Sequence, residues 1–232
     1  VLDAAGGRLE GRGEIRPPGK GASSFRLAWK DFDLARLRGF VPKLPALAAV
    51  VEGEVVANWD DWRPESVRAE GRGIIRAPTS PAGKAGAPAV PVDGTIAFRI
   101  SDLGLEIKRA RFLAAGAELS ASGRMGWDRS VRARFEAVVE DLTRTARAAA
   151  VLGAPSLLPA IGGRVRVDGR LEGTISAPFL SAGIQASGVS WQGLVADSVE
   201  AALSSDGSDV EISKLEAKIG EGRLEGHGRV SL

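Results

Sequence analysis

Few residues in this chain are equipped for covalent or acid–base chemistry. His227 is the sole histidine and there is no cysteine. That combination excludes a histidine-based triad, a multi-histidine metal site, a thiol nucleophile, a thiolate metal site and a disulfide. Asp60, Asp61 and Glu65, beside Trp59 and Trp62, have the residue types of a glycosidase-like carboxylate pair. Pro64 sets them in a loop, so an exposed acidic loop is expected instead. Gly71-Arg72-Gly73 and Gly226-His227-Gly228 neither open a helix nor complete Gly-x-Gly-x-x-Gly, and they read as strand glycines and not as phosphate cradles. No metal or cofactor motif is present, and a non-enzymatic protein is expected.

Nucleic-acid chemistry finds equally little support. The net charge is +2 from 31 basic and 29 acidic residues, and Arg and Glu alternate without a block of one sign. The pI of about 9.2 reflects how little titrates between the carboxylates and the lysines, since Cys and Tyr are absent. The tryptophans Trp29, Trp59, Trp62, Trp127 and Trp191 are scattered, with no spacing suited to stacking on single-stranded bases. Nucleic acid is therefore not an expected partner. Leu142–Leu152, carrying Arg144 and Arg147, could lie on an anionic membrane surface. Its weak polar face favours a helix that caps the groove or the sheet end.

What organises the chain is alternation. In Arg223–Leu232, the residues Leu224, Gly226, Gly228, Val230 and Leu232 are apolar or tiny, and Arg223, Glu225, His227, Arg229 and Ser231 are polar. Successive strand side chains face opposite ways, so this is a strand with one dry and one wet face. Leu9–Ile15 repeats the pattern and Leu119–Met125 repeats it more loosely, at intervals of about a domain's length. Three segments follow: a first β-repeat unit over 1–100, a second over 101–214, and the first strand of a third over 215–232.

Within the first unit, strands are expected over Arg8–Arg16, Phe25–Lys30, Val50–Asn58, Val67–Arg76 and Val92–Ile100. Asp33 caps a short helix through Leu34, Leu37 and Phe40 that Pro42 and Pro45 end. Pro78–Pro91 is a low-complexity surface loop whose composition predicts mobility. The second unit predicts strands at Leu105–Phe112, Ala117–Met125, Val131–Glu140, Val165–Ile175, Ile184–Gln192, Val199–Ser204 and Val210–Leu215. Asp141 caps its helix, which Gly153 and Pro155 end, and Asp206-Gly207 makes a hairpin turn. The helix-then-strand order recurs, so that Val51-Glu52-Gly53-Glu54-Val55 corresponds to Val167-Asp168-Gly169-Arg170-Leu171.

A sheet with one apolar face must cover it or offer it. A second sheet, closure into a barrel, and an open curved sheet holding an apolar ligand are the options. Gly11, Gly13, Gly169, Gly173, Gly226 and Gly228 stand on the dry face, where a core would favour Val or Ile. They mark either tight bending over a narrow apolar channel or close packing of two sheets.

The ordered repeat, the Gly-Arg-Leu-Glu-Gly-x-Gly strands and the helix leading into Gly162-Gly163-Arg164-Val165-x-Val167-x-Gly169-x-Leu171 resemble the TamB/AsmA-like superfamily of Gram-negative envelope proteins. The resemblance spans essentially the whole chain. It implies a β-taco, a long curved antiparallel sheet with a hydrophobic groove. It also implies a periplasmic location, an inner-membrane anchor in the parent chain, bridge-like phospholipid transport and a role in outer-membrane biogenesis. In TamB itself it implies a partner barrel in the outer membrane. The anchor helix and the partner-binding region are not represented in these residues, and the chain is expected to be a segment of a longer protein. The expected fold is thus mainly β, a repetitive, strongly curved antiparallel sheet with two short helices. If its dry face is the lipid path, Leu9, Ile15, Leu119, Val165, Val167, Leu171, Ile175, Leu224 and Val230 line it and touch acyl chains. The competing expectation is a closed β-barrel or sandwich holding a small apolar ligand, against which the repeat and the helix insertions count.

Overall fold

The computed structural model describes residues 1–4, 6–17, 20–37, 46–61, 63–78, 89–152, 161–191 and 193–231. Pro18, Gly19, Phe40, Pro42, Pro45, Trp62, most of the Pro78–Pro91 loop, Gly153, Pro155, Gln192 and Leu232 lie outside them.

Strands dominate the described residues. In chain order they are β1 (Leu2–Ala4), β2 (Gly7–Glu14), β3 (Ser23–Asp33), β4 (Leu47–Ala48), β5 (Val50–Trp59), β6 (Arg68–Arg76), β7 (Val90–Ser101), β8 (Gly104–Ala114), β9 (Ala117–Met125) and β10 (Ser130–Val139). After them come β11 (Gly162–Thr174), β12 (Ala177–Trp191), β13 (Leu194–Ser205), β14 (Asp209–Ile219) and β15 (Gly222–Ser231). Helix α1 (Leu34–Leu37) follows β3, and α2 (Leu142–Val151) follows β10. The mainly-β, antiparallel fold with two short helices is as expected. Most strands run longer than the alternation alone suggested, and β1 and β4 were not anticipated.

The chain divides into two units, Val1–Phe112 with Arg124–Trp127, and Leu113–Gly123 with Asp128–Leu232. In the first, the hydrogen-bonded order is β1-β2-β3-β5-β6-β7-β8, with β4 pairing parallel to β7. In the second, the order from β10 to β15 follows the sequence. Among the described residues β1 pairs with β2 alone and β15 with β14 alone. Neither unit closes into a barrel.

Local chemistry explains the element ends. The Asp33 carboxylate accepts the Ala35 N–H at 2.9 Å and so caps α1. Asp141 does the same for α2 through the Arg144 N–H at 3.0 Å. Helix α2 then docks at the sheet end, where Thr143 Oγ1 donates to the Ile161 carbonyl at 2.9 Å and Thr145 Oγ1 to the Ala115 carbonyl at 3.0 Å. At the β13–β14 turn, Gly207 takes the left-handed conformation (φ 91). Asp206 Oδ1 there accepts the Ser208 and Asp209 N–H groups, each at 3.0 Å, and the Ser208 hydroxyl at 2.8 Å.

Two bulges correct the phase of the alternation. In β3, Trp29 pairs with Gly53 but Phe32 pairs with Val51, so one extra residue sits between them. Asp31 absorbs it at φ 59, a conformation Asp tolerates better than most side chains. In β14, Leu203 faces Ile212 whereas Ala202 faces Lys214, which leaves Ser213 as the extra residue. Ser213 Oγ donates to the Ala202 carbonyl at 3.2 Å. Without the bulges, Phe32 in one unit, and Leu215 and Ala217 in the other, would turn to the wet side.

Gly13 meets the Ser24 and Phe25 backbone and Gly173, at φ 101, the Ala177 carbonyl, but Gly11 and Gly169 have an explanation that neither expectation gave. In the first unit, the Phe25 ring lies over Gly11, with its Cζ 2.8 Å from where a Cβ would stand. Trp29 covers Gly53, Phe98 covers Gly71, and Phe112 covers Gly94. In the second unit Phe135 covers Gly169. Each ring fills the notch left by a glycine on the neighbouring strand. Trp29 over Gly53 and Phe135 over Gly169 are the same arrangement, on the two strands matched in sequence. Gly226 meets only Leu215, and Gly228 has nothing within 4 Å.

Two expectations follow. Gly169→Val should cost about 1–3 kcal/mol, because its methyls displace the Phe135 ring. Gly228→Val should be neutral or stabilising by up to about 1 kcal/mol through strand propensity; urea unfolding midpoints of the two variants check both. The second concerns acid. Backbone N–H groups of Ser208 and Asp209 and the Ser208 hydroxyl lower the Asp206 carboxyl to about 2, below its unfolded value of about 3.9. A folded pKa below the unfolded one gives stability that is complete above about pH 4 and lost as pH falls through 2. The stability deficit of Asp206→Ala should therefore be largest near neutral pH and shrink between pH 4 and 2, as read by thermal unfolding across that range.

Candidate functional site

Strand register turns the alternation of the second unit into a surface. Val139, Val165, Ala186, Val199, Ala217 and Leu224 stand side by side across β10 to β15. The next row is Ala137, Val167, Ile184, Ala201, Leu215 and Gly226. Phe135, Gly169, Ala182, Leu203, Ile212 and Gly228 form a third. Ala133, Leu171, Leu180, Ser205, Val210 and Val230 form a fourth. One hydroxyl interrupts the four rows, and no charge does. With strands about 4.8 Å apart and rows about 6.7 Å apart, the field covers roughly 500 Å² at the level of the backbone. The largest apolar patch on an ordinary monomer measures about 300–600 Å² and is often functional.

Burial shows that this face is not a sealed core. Of all these positions only Ala217 is buried, at 8% exposure. The others are half-buried or, at Leu224, Gly228 and Val230, exposed. Lateral neighbours within one layer produce such values, whereas a facing second sheet would bury the whole field. In the first unit, Leu9, Trp29, Gly53, Gly73 and Ile96 form a comparable row. Its end is plugged: β4 pairs Leu47 with Val90, the Val90 N–H reaches the Ala46 carbonyl at 2.8 Å, and Ala49, Val90 and Val92 are buried.

The opposite face carries the charge. Arg166 meets Glu136 at 2.6 Å, Lys214 meets Glu216 at 3.1 Å and Glu200 at 3.3 Å, and Arg229 meets Asp209 at 2.6 Å. The first unit repeats this with Glu54 between Arg26 at 2.9 Å and Arg72 at 2.7 Å. The Ser231 hydroxyl, followed by Arg229, holds the Asp209 carboxyl below its ordinary range, and Glu216 and Glu200 raise Lys214. Exposed pairs of this kind stabilise little, but like charges set opposite one another by a slipped register would repel.

Of the residues expected to line a lipid path, Val165, Val167, Leu171, Leu224 and Val230 share the face of the second unit. Val165 and Leu224 lie in one row, and Leu171 and Val230 in another. Leu119 stands on β9, next to β10 in the strand order, and is 40% exposed. Ile175 falls in the β11–β12 turn, where its N–H donates to the Arg129 carbonyl at 3.1 Å. Leu9 pairs with Trp29 in the first unit, and Ile15 lies past the end of β2, 63% exposed. Leu180, Ile184, Leu203 and Leu215 are equally central and were not singled out. Alternation from Leu180 to Ala186 would have found the first two, but the bulge at Ser213 hides Leu215 from a strict period of two.

The acidic loop has a structural role. The Asp61 carboxylate accepts the Arg63 N–H at 2.9 Å and Nε at 2.7 Å. The Arg63 N–H bond, then the Ser66 hydroxyl, keep that carboxyl below its ordinary range. An acid held ionised by its own turn is poorly placed to donate a proton. Among the described residues, no helix is long and apolar enough to cross a membrane.

An uncovered face predicts tolerance of charge. Val167→Asp should cost less than about 2 kcal/mol, since the carboxylate reaches water from a half-buried position. Val90→Asp, at 4% exposure, should cost more than about 3 kcal/mol; chemical unfolding of both variants measures the difference. No family model, curated protein or solved structure matches this chain.

Proposed function

We propose that this chain is a non-enzymatic module whose dry sheet face forms part of a hydrophobic groove for phospholipid acyl chains. The observation that carries the reading is the charge-free field across β10 to β15, which no second layer among the described residues covers. Such a surface recognises its ligand by burial alone. An acyl chain gains about 0.8 kcal/mol for each methylene removed from water, so affinity rises with chain length and needs no head-group chemistry. The resemblance of the strands to TamB/AsmA-like proteins extends this to the periplasm, to an inner-membrane-anchored parent chain, and to lipid movement between the inner and outer membranes in outer-membrane biogenesis. A small apolar ligand in a closed barrel is the weaker reading, because neither unit's strand order returns to its first strand.

Photo-crosslinking provides the test. A photoreactive residue at Val167 faces the apolar field, and one at Arg166 faces Glu136 on the charged side. In the intact protein within cells, Val167 should capture phospholipid and Arg166 should not. Equal capture at both positions, or none at Val167, would end the groove reading.

A further inference from the structure

The β12–β13 hairpin departs from the one-wet-face rule. No Asp, Glu, Lys or Arg occurs from Gly173 to Ala196, in a chain that is 26% charged. This stretch contains all of β12, the longest strand. At its far end Trp191 pairs with Leu194. Trp191 is 48%, Leu194 62% and Val195 53% exposed. Leu194 and Val195 are consecutive strand residues and so point to opposite faces; the hairpin end carries an exposed apolar side chain on each face.

It also projects. The β11–β12 ladder stops at Gly162 and Ser190, and the β13–β14 ladder stops at Ser198 and Lys218. Trp191 and Leu194 lie beyond both. The ties nearest the tip are the Gly162 N–H on Ser190 Oγ at 3.2 Å and the Gly220 N–H on Asp197 Oδ2 at 3.1 Å. Behind the tip runs a cross-strand row of Arg164, Ser187, Ser198, Lys218 and Arg223. Ser187 and Ser198 are each four residues from Trp191 and Leu194, or about 13 Å along the strands. Arg164 also faces Glu140 at 3.5 Å, and Arg223 bridges Glu216 and Glu225.

We propose that Trp191, Leu194 and Val195 form a lipid-surface contact that inserts into the bilayer interface, bringing the end of the second unit's apolar field to the membrane. This rests on the groove reading and names its docking point. A protein groove would cover one face of a hairpin, whereas a lipid interface surrounds the tip and accepts apolar side chains on both. Tryptophan suits that boundary, with an apolar ring and one polar N–H. An apolar tip sunk roughly 5–10 Å into the headgroup–acyl boundary leaves Lys218 of that row near the lipid phosphates, while Arg164 and Arg223 are held by carboxylates.

The absence of cysteine allows a single environment-sensitive fluorophore to be placed at Leu194→Cys, or at the exposed Glu211→Cys beside the polar β13–β14 turn at the opposite strand ends. With vesicles of phosphatidylcholine and phosphatidylglycerol at 3:1, the label at Leu194→Cys should shift to the blue and brighten, and that at Glu211→Cys should not. Leu194→Asp combined with Val195→Asp should lower vesicle co-sedimentation about tenfold or more, with an unchanged strand signal by circular dichroism, since both side chains are exposed. An aqueous label in the presence of vesicles, or equal shifts at both sites, would overturn the proposal. So would a shift that grows with protein concentration and needs no vesicles, which would mark contact between copies. Dihexanoyl phosphatidylcholine below its micelle concentration, offered to the Val167 crosslinker, separates the two readings. Capture there without a response at Leu194→Cys in vesicles sinks the docking point alone; the reverse sinks the groove alone.

Discussion

Register is the constraint on which everything else here depends. A strand has a period of two, so a slip of one residue exchanges its faces completely. Six strands of the second unit keep Val, Leu, Ile, Ala and Gly in four aligned rows, and they do so across a position where the sequence itself loses phase. The extra residue at Ser213 and the left-handed Asp31 are where each unit absorbs that loss. Opposite charges across the wet face add a penalty for the wrong alignment. The apolar field is thus a product of backbone pairing, and each side chain in it owes its direction to ladders several strands away.

Glycine and aromatic residues share the work of making the dry face continuous. A phenylalanine or tryptophan on one strand would clash with a branched neighbour; over glycine it lies down and fills the gap. The face gains apolar area without tall side chains. Where no ring is available, as at Gly228, the surface is lower and open. The two units differ in kind here: rings dominate the first, through Phe25, Trp29, Phe98 and Phe112, and aliphatic side chains dominate the second.

Much was determined by sequence because it is governed by local physics. Alternation set the strands and their two faces, Asp33 and Asp141 set the helix starts, and Asp206-Gly207 set a hairpin. These depend on neighbours within a few residues. The lack of Cys, with one His, likewise excluded thiol, disulfide and multi-histidine chemistry before any fold was known.

Tertiary structure alone decided how the faces add up. Which residues stand in one row depends on pairing between strands distant in sequence, and no local pattern reports it. The bulge at Ser213 is silent in a period-two reading because it is defined by the partner strands β13 and β15. The rings over Gly11, Gly53, Gly71, Gly94 and Gly169 come from adjacent strands, so these glycines read as bends or packing notches until their neighbours are in place. The buried plug of Ala49, Val90 and Val92 arises from a parallel pairing across more than one intervening strand. The exposure of Trp191, Leu194 and Val195 follows from where two neighbouring ladders stop. Hydrophobicity is written residue by residue, but whether it is covered is a property of the assembled sheet, because burial is decided by atoms that local sequence does not contain.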